Sequence, residues 1–206
     1  ITRVYSFCMC PGGYVVNASS EEGMLAVNGM SYHARAGQNA NSAIIISVRP
    51  DDFEGDGTVS WNWVSAEIGK NAYRIGNGAI PQQLYGDFKE NRISTGYGAF
   101  ESTTKGAHTF ANLREIFPKE LAASFQAGME LFPKYIPDYN REDAILSGVE
   151  SRTSSPVRIT RDESFESNNC RHLPCGEGAG YAGGIMSAAM DGLKVDGSNC
   201  RKICKT

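Results

Sequence analysis

Two short stretches of this 206-residue chain hold side chains able to do chemistry. The first, Phe7-Cys8-Met9-Cys10-Pro11-Gly12-Gly13, sets two thiols one residue apart. Such a pair bridges only with strained geometry, so it is a poor structural disulfide. Two roles stay open for it. In one, a thiol of Cys8 or Cys10 sits beside a redox group as thiolate or proton donor. In the other, both are small apolar fillers around a Pro-Gly-Gly loop. Further on, His33 titrates near neutrality and is a candidate to exchange a proton with substrate, although a lone histidine is more often structural. Arg35 suits a carboxylate or an electron-rich ring. Arg152 and Arg158 stand in a polar, proline-punctuated stretch, either as ligand-facing cations or as solvated arginines.

The second stretch runs from Cys175 through Gly176, Glu177, Gly178, Ala179, Gly180, Tyr181, Ala182, Gly183 and Gly184 into Ile185. Its glycines allow positive φ and close approach of backbone to a ligand. The helix expected behind it, from about Gly184 to Val195, offers unpaired N–H groups and the positive end of a dipole, which suit a phosphate or a ring carbonyl. By itself the pattern equally describes a turn that lets a helix pack closely. A dinucleotide fingerprint also needs a βαβ unit with an acid about 20 residues on; here that acid would fall near the end of the chain, and no further strand is read after the helix.

These residues need elements to position them. The first 50 residues read as β-structure: a turn at Pro11-Gly12-Gly13, strands over 14–16 and 24–27, a hairpin signal at Asn28-Gly29, and a clear strand over 42–48. Apolar spacing turns helical over 60–75 through Trp63, Ile68, Ala72 and Ile75, with Gly76-Asn77-Gly78 as the stop. A second helical block, about 110–132, is split at Pro118, because the proline ring fixes φ and restrains the residue before it. Residues 144–149 read as a strand, and Leu173-Pro174-Cys175 as the lead into the glycine turn. The fold class expected is α+β: a β-rich subdomain with a helical insert over 1–143, then a strand-turn-helix over 144–206.

Composition narrows the functions. With 41% hydrophobic and 21% charged residues the chain is an ordinary globular one. A net charge of −3, with no basic block longer than Arg201-Lys202, argues against a nucleic-acid partner or an anionic membrane surface. No apolar run approaches the ~20 residues of a membrane span. The start of the chain lacks a secretory pattern, so a cytoplasmic location is expected. The cysteines at 8, 10, 170, 175, 200 and 204 do not show zinc-pair spacing and are read as reduced thiols, with no metal site assigned.

The motifs together resemble the carboxy-terminal portion of a family of uncharacterised FAD-dependent dehydrogenases, among the flavoproteins with two dinucleotide-binding domains. Those that carry the likeness are 7–13, Asn28-Gly29-Met30-Ser31-Tyr32-His33-Ala34-Arg35, Asn39-Ala40-Asn41-Ser42-Ala43, 148–158 and 176–185. The resemblance implies FAD as cofactor, a small-molecule substrate or NAD(P)H as redox partner, and hydride transfer as the reaction. It implies that 1–143 face substrate and 144–206 complete an FAD-binding domain. Cys8, Cys10 and His33 become catalytic candidates. Gly176, Glu177, Gly178, Tyr181, Gly183, Gly184, Ile185, Arg152 and Arg158 become cofactor-binding ones, with Glu177 near the ribityl or pyrophosphate part and the N–H groups around Gly184 facing the flavin. Residues 1–30 lack the Rossmann Gly-x-Gly-x-x-Gly for the ADP half, so that half is expected from a longer protein or another chain, and this chain alone is expected to bind FAD weakly or not at all. Two rival readings are a non-catalytic protein-binding module, and a thiol-redox or metal protein using Cys8, Cys10, Cys170 and Cys175.

Overall fold

The computed structural model describes residues 3–48, 57–151, 155, 157–169 and 172–203, with side chains described outside 57–64 and 199–203. The chain is α+β and divides into two compact units, Ile1–Ser151 and Arg152–Thr206.

In the first unit, β1 (Val4–Asn17), β2 (Val27–Ser31) and β3 (Asn39–Ile46) form an antiparallel sheet in the order β2-β1-β3. The expected turn at Pro11-Gly12-Gly13 lies inside β1, and Asn28-Gly29 lies inside β2. The physical reason is a break in register. Phe7 pairs with Ala43, Cys10 with Asn41 and Gly13 with Asn39, with irregularities between them. The positive φ of Gly12 (58°) therefore serves a bulge within a strand and does not reverse the chain.

Helix α1 (Gly57–Ile75) ends at the glycine stop, as its spacing requires. Ala72 is fully buried, and Ile68 and Ile75 pack against the core. Next come β4 (Ile80–Leu84), the short helix α2 (Tyr85–Lys89) and β5 (His108–Phe110). A 3-10 turn over Leu113–Ile116 precedes α3 (Lys119–Leu131), and Pro118 is the residue that separates them. Strand β6 (Ile145–Ser147) completes a second sheet, β5-β4-β6, parallel on one side of β4 and antiparallel on the other. Strand β6 pairs with β4, and the division between the two compact units falls after Ser151.

Strand β4, Ile-Pro-Gln-Gln-Leu, carries no alternation of apolar and polar residues, yet Ile80, Pro81, Gln82 and Gln83 are all buried. Its polar groups are matched one by one. The two N–H groups of Gln82 Nε2 are shared among Ser102 Oγ (3.1 Å), Thr104 Oγ1 (2.8 Å) and Ser147 Oγ (3.0 Å), and its Oε1 accepts from the Tyr97 hydroxyl (2.6 Å). Gln83 Nε2 donates to the Arg92 carbonyl, and its Oε1 accepts from the N–H of Leu113. Pro81 lies opposite Thr109 of β5 and has no N–H to donate, but its carbonyl accepts from the Gly148 N–H (3.0 Å). Around this strand Leu25, Ile80, Tyr85, Phe88, Leu113, Ile116 and Met129 make the core. Burying a large apolar side chain contributes about 1.5–3 kcal/mol, more than the ~1 kcal/mol net of one hydrogen bond. Apolar burial therefore drives the unit, and the glutamine network selects its register.

The second unit is a run of irregular backbone followed by α4 (Ile185–Ile203). Helix α4 continues past the Val195 expected from its small-residue stretch. Neither 157–159 nor 173–175 is a strand.

Candidate functional site

The candidate residues fall into two groups, one on each unit. On the first unit, three sequence motifs, 7–13, 28–35 and 39–43, meet through the backbone of the β2-β1-β3 sheet. Asn41 ties them: its Nδ2 donates to the carbonyls of Tyr14 on β1 (3.3 Å) and Met30 on β2 (3.1 Å). The loop after β2 is clamped on the bulge of β1. Ser31 Oγ donates to the Pro11 carbonyl (2.6 Å), and Gly12 lies so close to the backbone of Arg35 that no β-carbon fits there. Arg35 itself holds a positive φ of 52°.

Cys8 is exposed, with φ 50°, and Cys10 Sγ lies 3.7 Å from the Cys8 carbonyl oxygen. Partial desolvation, the neighbouring Cys10 and the charge of Glu150 push the pKa of the Cys8 thiol up from its ordinary value. A raised pKa suits a proton donor better than a resting thiolate nucleophile. His33 is exposed on the clamped loop, and among the described residues it makes no hydrogen bond to Cys8 or Cys10. Tyr32 beside it packs at a tilt against Tyr14, with ring centroids 4.6 Å apart. The structure thus joins the backbones that carry Cys8, Cys10 and His33 without a direct link between the side chains.

On the second unit, the glycine segment is a compact turn with positive φ at Gly176 (70°) and Gly180 (80°). The N–H of Gly180 donates to the Glu177 carbonyl and that of Tyr181 to the Gly176 carbonyl. The preceding segment spends its hydrogen bonds on this turn, which is why it forms no strand. Ile159 N–H donates to the Ala179 carbonyl, Arg158 Nε to Gly180 O (2.9 Å), and the Tyr181 hydroxyl to Ile159 O (3.1 Å). Arg158 and Tyr181 therefore brace the turn, and the Arg158 guanidinium also lies 5.0 Å from the Tyr181 ring centre. Arg152, Cys170 and Cys204, with the side chain of Cys200, lie outside the described residues.

Glu177, Gly178, Gly183 and Ile185 are exposed. A β-carbon on Gly178 would meet nothing within 4 Å, so that part of the turn is open to a ligand. At the start of α4, the Gly184 N–H donates to Ser187 Oγ (3.1 Å), which leaves the first-turn N–H groups from Ile185 onward as the orphan donors. Ile185 and Met186 are 84% and 72% exposed, so those donors open to the surface of the unit.

The residues that fix this geometry were not found from the sequence. Arg161 and Asp191 form a two-pronged ion pair (2.9 and 2.7 Å) with side chains only 9% and 14% exposed. Arg161 also donates to the Pro174 carbonyl and lies 3.6 Å from the Tyr181 ring centre, and Asp191 Oδ2 accepts from the N–H of Gly176 (2.9 Å). The Arg161 hydrogen bonds, then that of Gly176, hold the Asp191 carboxyl down at about 2. Thirty residues separate the pair in sequence, and no local spacing signals it. Among the described residues no group of three or more His, Cys, Asp and Glu side chains lies close enough to hold a metal ion, and no helix is long and apolar enough to cross a membrane.

Fold and turn define the class: an α+β chain whose first unit presents a thiol-bearing bulge and whose second presents an open glycine turn ahead of a helix. The chain belongs to the family described as FAD-dependent protein, C-terminal domain-like, matched over residues 2–153. That match covers the first unit and ends before the glycine turn. The chain is also 49% identical over 195 residues to an uncharacterized protein of Clostridium beijerinckii. The alignment takes in 93% of this chain and 37% of that protein, so the chain spans little more than a third of its relative's length.

Proposed function

We propose that this chain is the substrate-facing and flavin-capping part of an FAD-dependent oxidoreductase, which transfers hydride between an organic substrate, or NAD(P)H, and the flavin. Membership of the FAD-dependent family carries this reading. The open glycine turn and exposed helix start are compatible with it.

FAD, when bound, supplies the hydride-accepting ring. In this reading Gly178 would let backbone lie along the cofactor chain and the Glu177 carboxylate would accept from a ribityl hydroxyl, whereas Gly176, buried with its N–H on Asp191, serves the shape of the turn instead of touching the cofactor. The N–H groups at the start of α4 donate to a flavin carbonyl, where a helix N-terminus stabilises developing negative charge. Arg158 and Tyr181 act by holding the turn in shape, as their bonds to Gly180 and Ile159 suggest. Cys8, as a protonated thiol, and His33 are the candidates for proton exchange with substrate. Arg152 completes the proposed cofactor-binding set. The missing ADP half of the site would come from a Rossmann domain elsewhere in a longer protein or on another chain.

The test is the flavin content of the full-length protein after denaturation, followed by anaerobic reduction with NADH or NADPH. Stoichiometric FAD that bleaches on reduction is expected. A protein that neither retains FAD nor takes it up when supplied would sink the proposal. Turnover unaffected by Cys8→Ser, Cys10→Ser and His33→Gln would remove those three from the mechanism.

A further inference from the structure

Cys8 and Met9 lie in a gap in the pairing of β1. Phe7 pairs with Ala43 and the next partnered residue is Cys10, opposite Asn41, so Cys8 and Met9 have no partner on β3. On the other side, pairing with β2 begins only at Gly13. Cys8 sits at φ 50°, and Cys10 turns its Sγ back to within 3.7 Å of the Cys8 carbonyl. Both thiols are free, with Cys8 exposed and Cys10 partly so. A bulge has slack that a laddered strand lacks, so Cys8 and Met9 can move towards Cys10 without breaking a ladder pair.

We propose that Cys8 and Cys10 form a reversible disulfide within the bulge, and that its formation shifts the loop 32–37 that carries His33 and Arg35. This goes beyond the flavin reading and does not depend on it. The oxidant is a low-molecular-weight disulfide. The thiolate of one cysteine attacks a sulfur of the oxidant, whose S–S bond breaks and releases one small thiol. The second cysteine then attacks the protein-side sulfur of the mixed disulfide, forming the Cys8–Cys10 bond and releasing the second small thiol. Two electrons pass from the protein to the oxidant, and both protons end on the released thiols. A ring closed across one intervening residue departs from relaxed disulfide geometry, and strained, exposed disulfides are the easily reduced ones. The pair is thus built to toggle, not to staple.

The coupling runs through Pro11 and Gly12, which follow Cys10 directly. Pro11 holds Ser31 through its carbonyl, Gly12 packs against the Arg35 backbone, and a β-carbon on Gly37 would sit 2.6 Å from the Gly12 oxygen. Contacts this close leave no room for the bulge to tighten alone.

The experiment equilibrates the full chain in glutathione buffers of rising oxidised fraction, traps thiols by alkylation, and reads the tryptic peptide Val4–Arg35, which contains Cys8 and Cys10 and no other cysteine. Expected is concerted loss of both alkylatable thiols, reversed by dithiothreitol. In Cys8→Ser and Cys10→Ser a glutathione adduct appears on the remaining thiol instead. Amide exchange over 32–37 changes at least severalfold on oxidation of the wild type and stays unchanged in Cys8→Ser. Two thiols that stay alkylatable, or that carry separate adducts, overturn the disulfide. A disulfide without a change in exchange overturns the switch.

Discussion

The side-chain amide of Asn41 occupies the space where Gly29 has no β-carbon. From β3 it reaches across β1 to donate to Tyr14 and Met30, and a β-carbon at Gly13 would likewise press to 2.6 Å from its Nδ2. Two motifs of the sheet are thus matched by one amide and the gaps left for it.

Gly29→Ala should expel that amide and cost about 1–3 kcal/mol, the range for a strained insertion together with lost hydrogen bonds. Asn41→Ala should cost about 1–2 kcal/mol for its two hydrogen bonds. The double variant should fall well short of the sum, because the methyl then enters vacated space. Urea unfolding of the four proteins measures this; simple additivity would contradict it.

Gln82→Leu keeps the volume but takes the amide partner from the Tyr97 hydroxyl and Ser147 Oγ, while Ser102 and Thr104 keep their mutual hydrogen bond, so it should destabilise by about 1–3 kcal/mol. A stability equal to wild type in the same unfolding measurement would mean that the network is not needed for register.

Asp191 makes the second unit acid-sensitive in a defined window. Its carboxyl is held at about 2 in the fold, against about 3.9 in an unfolded chain. The folded state therefore binds fewer protons, and the stabilisation is complete above about pH 4 and lost as pH falls towards 2. The carboxyl carbon resonance of Asp191 should titrate with a midpoint near the lower value, and the Gly176 amide should lose protection across the same range. Asp191→Asn should abolish that dependence. A midpoint near 4 would show that the Arg161 pair is not formed in solution.

Gly178→Val separates the turn's structural role from its proposed cofactor role. Open space around the position predicts unchanged unfolding behaviour. If the flavin chain lies along this turn, FAD affinity of the full-length protein should drop at least about tenfold, a loss of about 1.4 kcal/mol. Unchanged affinity would move the cofactor away from the turn.

Much of this architecture was legible in the sequence where local rules act alone. The helical spacing of Ile68, Ala72 and Ile75, the glycine stop behind them, and the break at Pro118 needed no tertiary context. The legible part ended where distant partners decide. Pro11-Gly12-Gly13 has turn chemistry, but pairing with β2 and β3 converted it into a bulge. Strand β4 has neither alternation nor β-branched bulk, and only Ser102, Thr104, Ser147 and Tyr97 make its glutamines buriable. The glycine turn was readable from its composition. Its anchor, Arg161 to Asp191, was not, since an isolated arginine on a loop looks the same whether it is solvated or paired.

The position of β6 sets a schedule for synthesis. Gln82 is made long before Ser147, yet the two share a hydrogen bond and a ladder pair. Until Ser147 has left the ribosome, β4 must hold its polar side chains against an incomplete set of partners. Nascent chains stopped short of residue 145 should therefore be cut by protease at sites that the finished unit conceals.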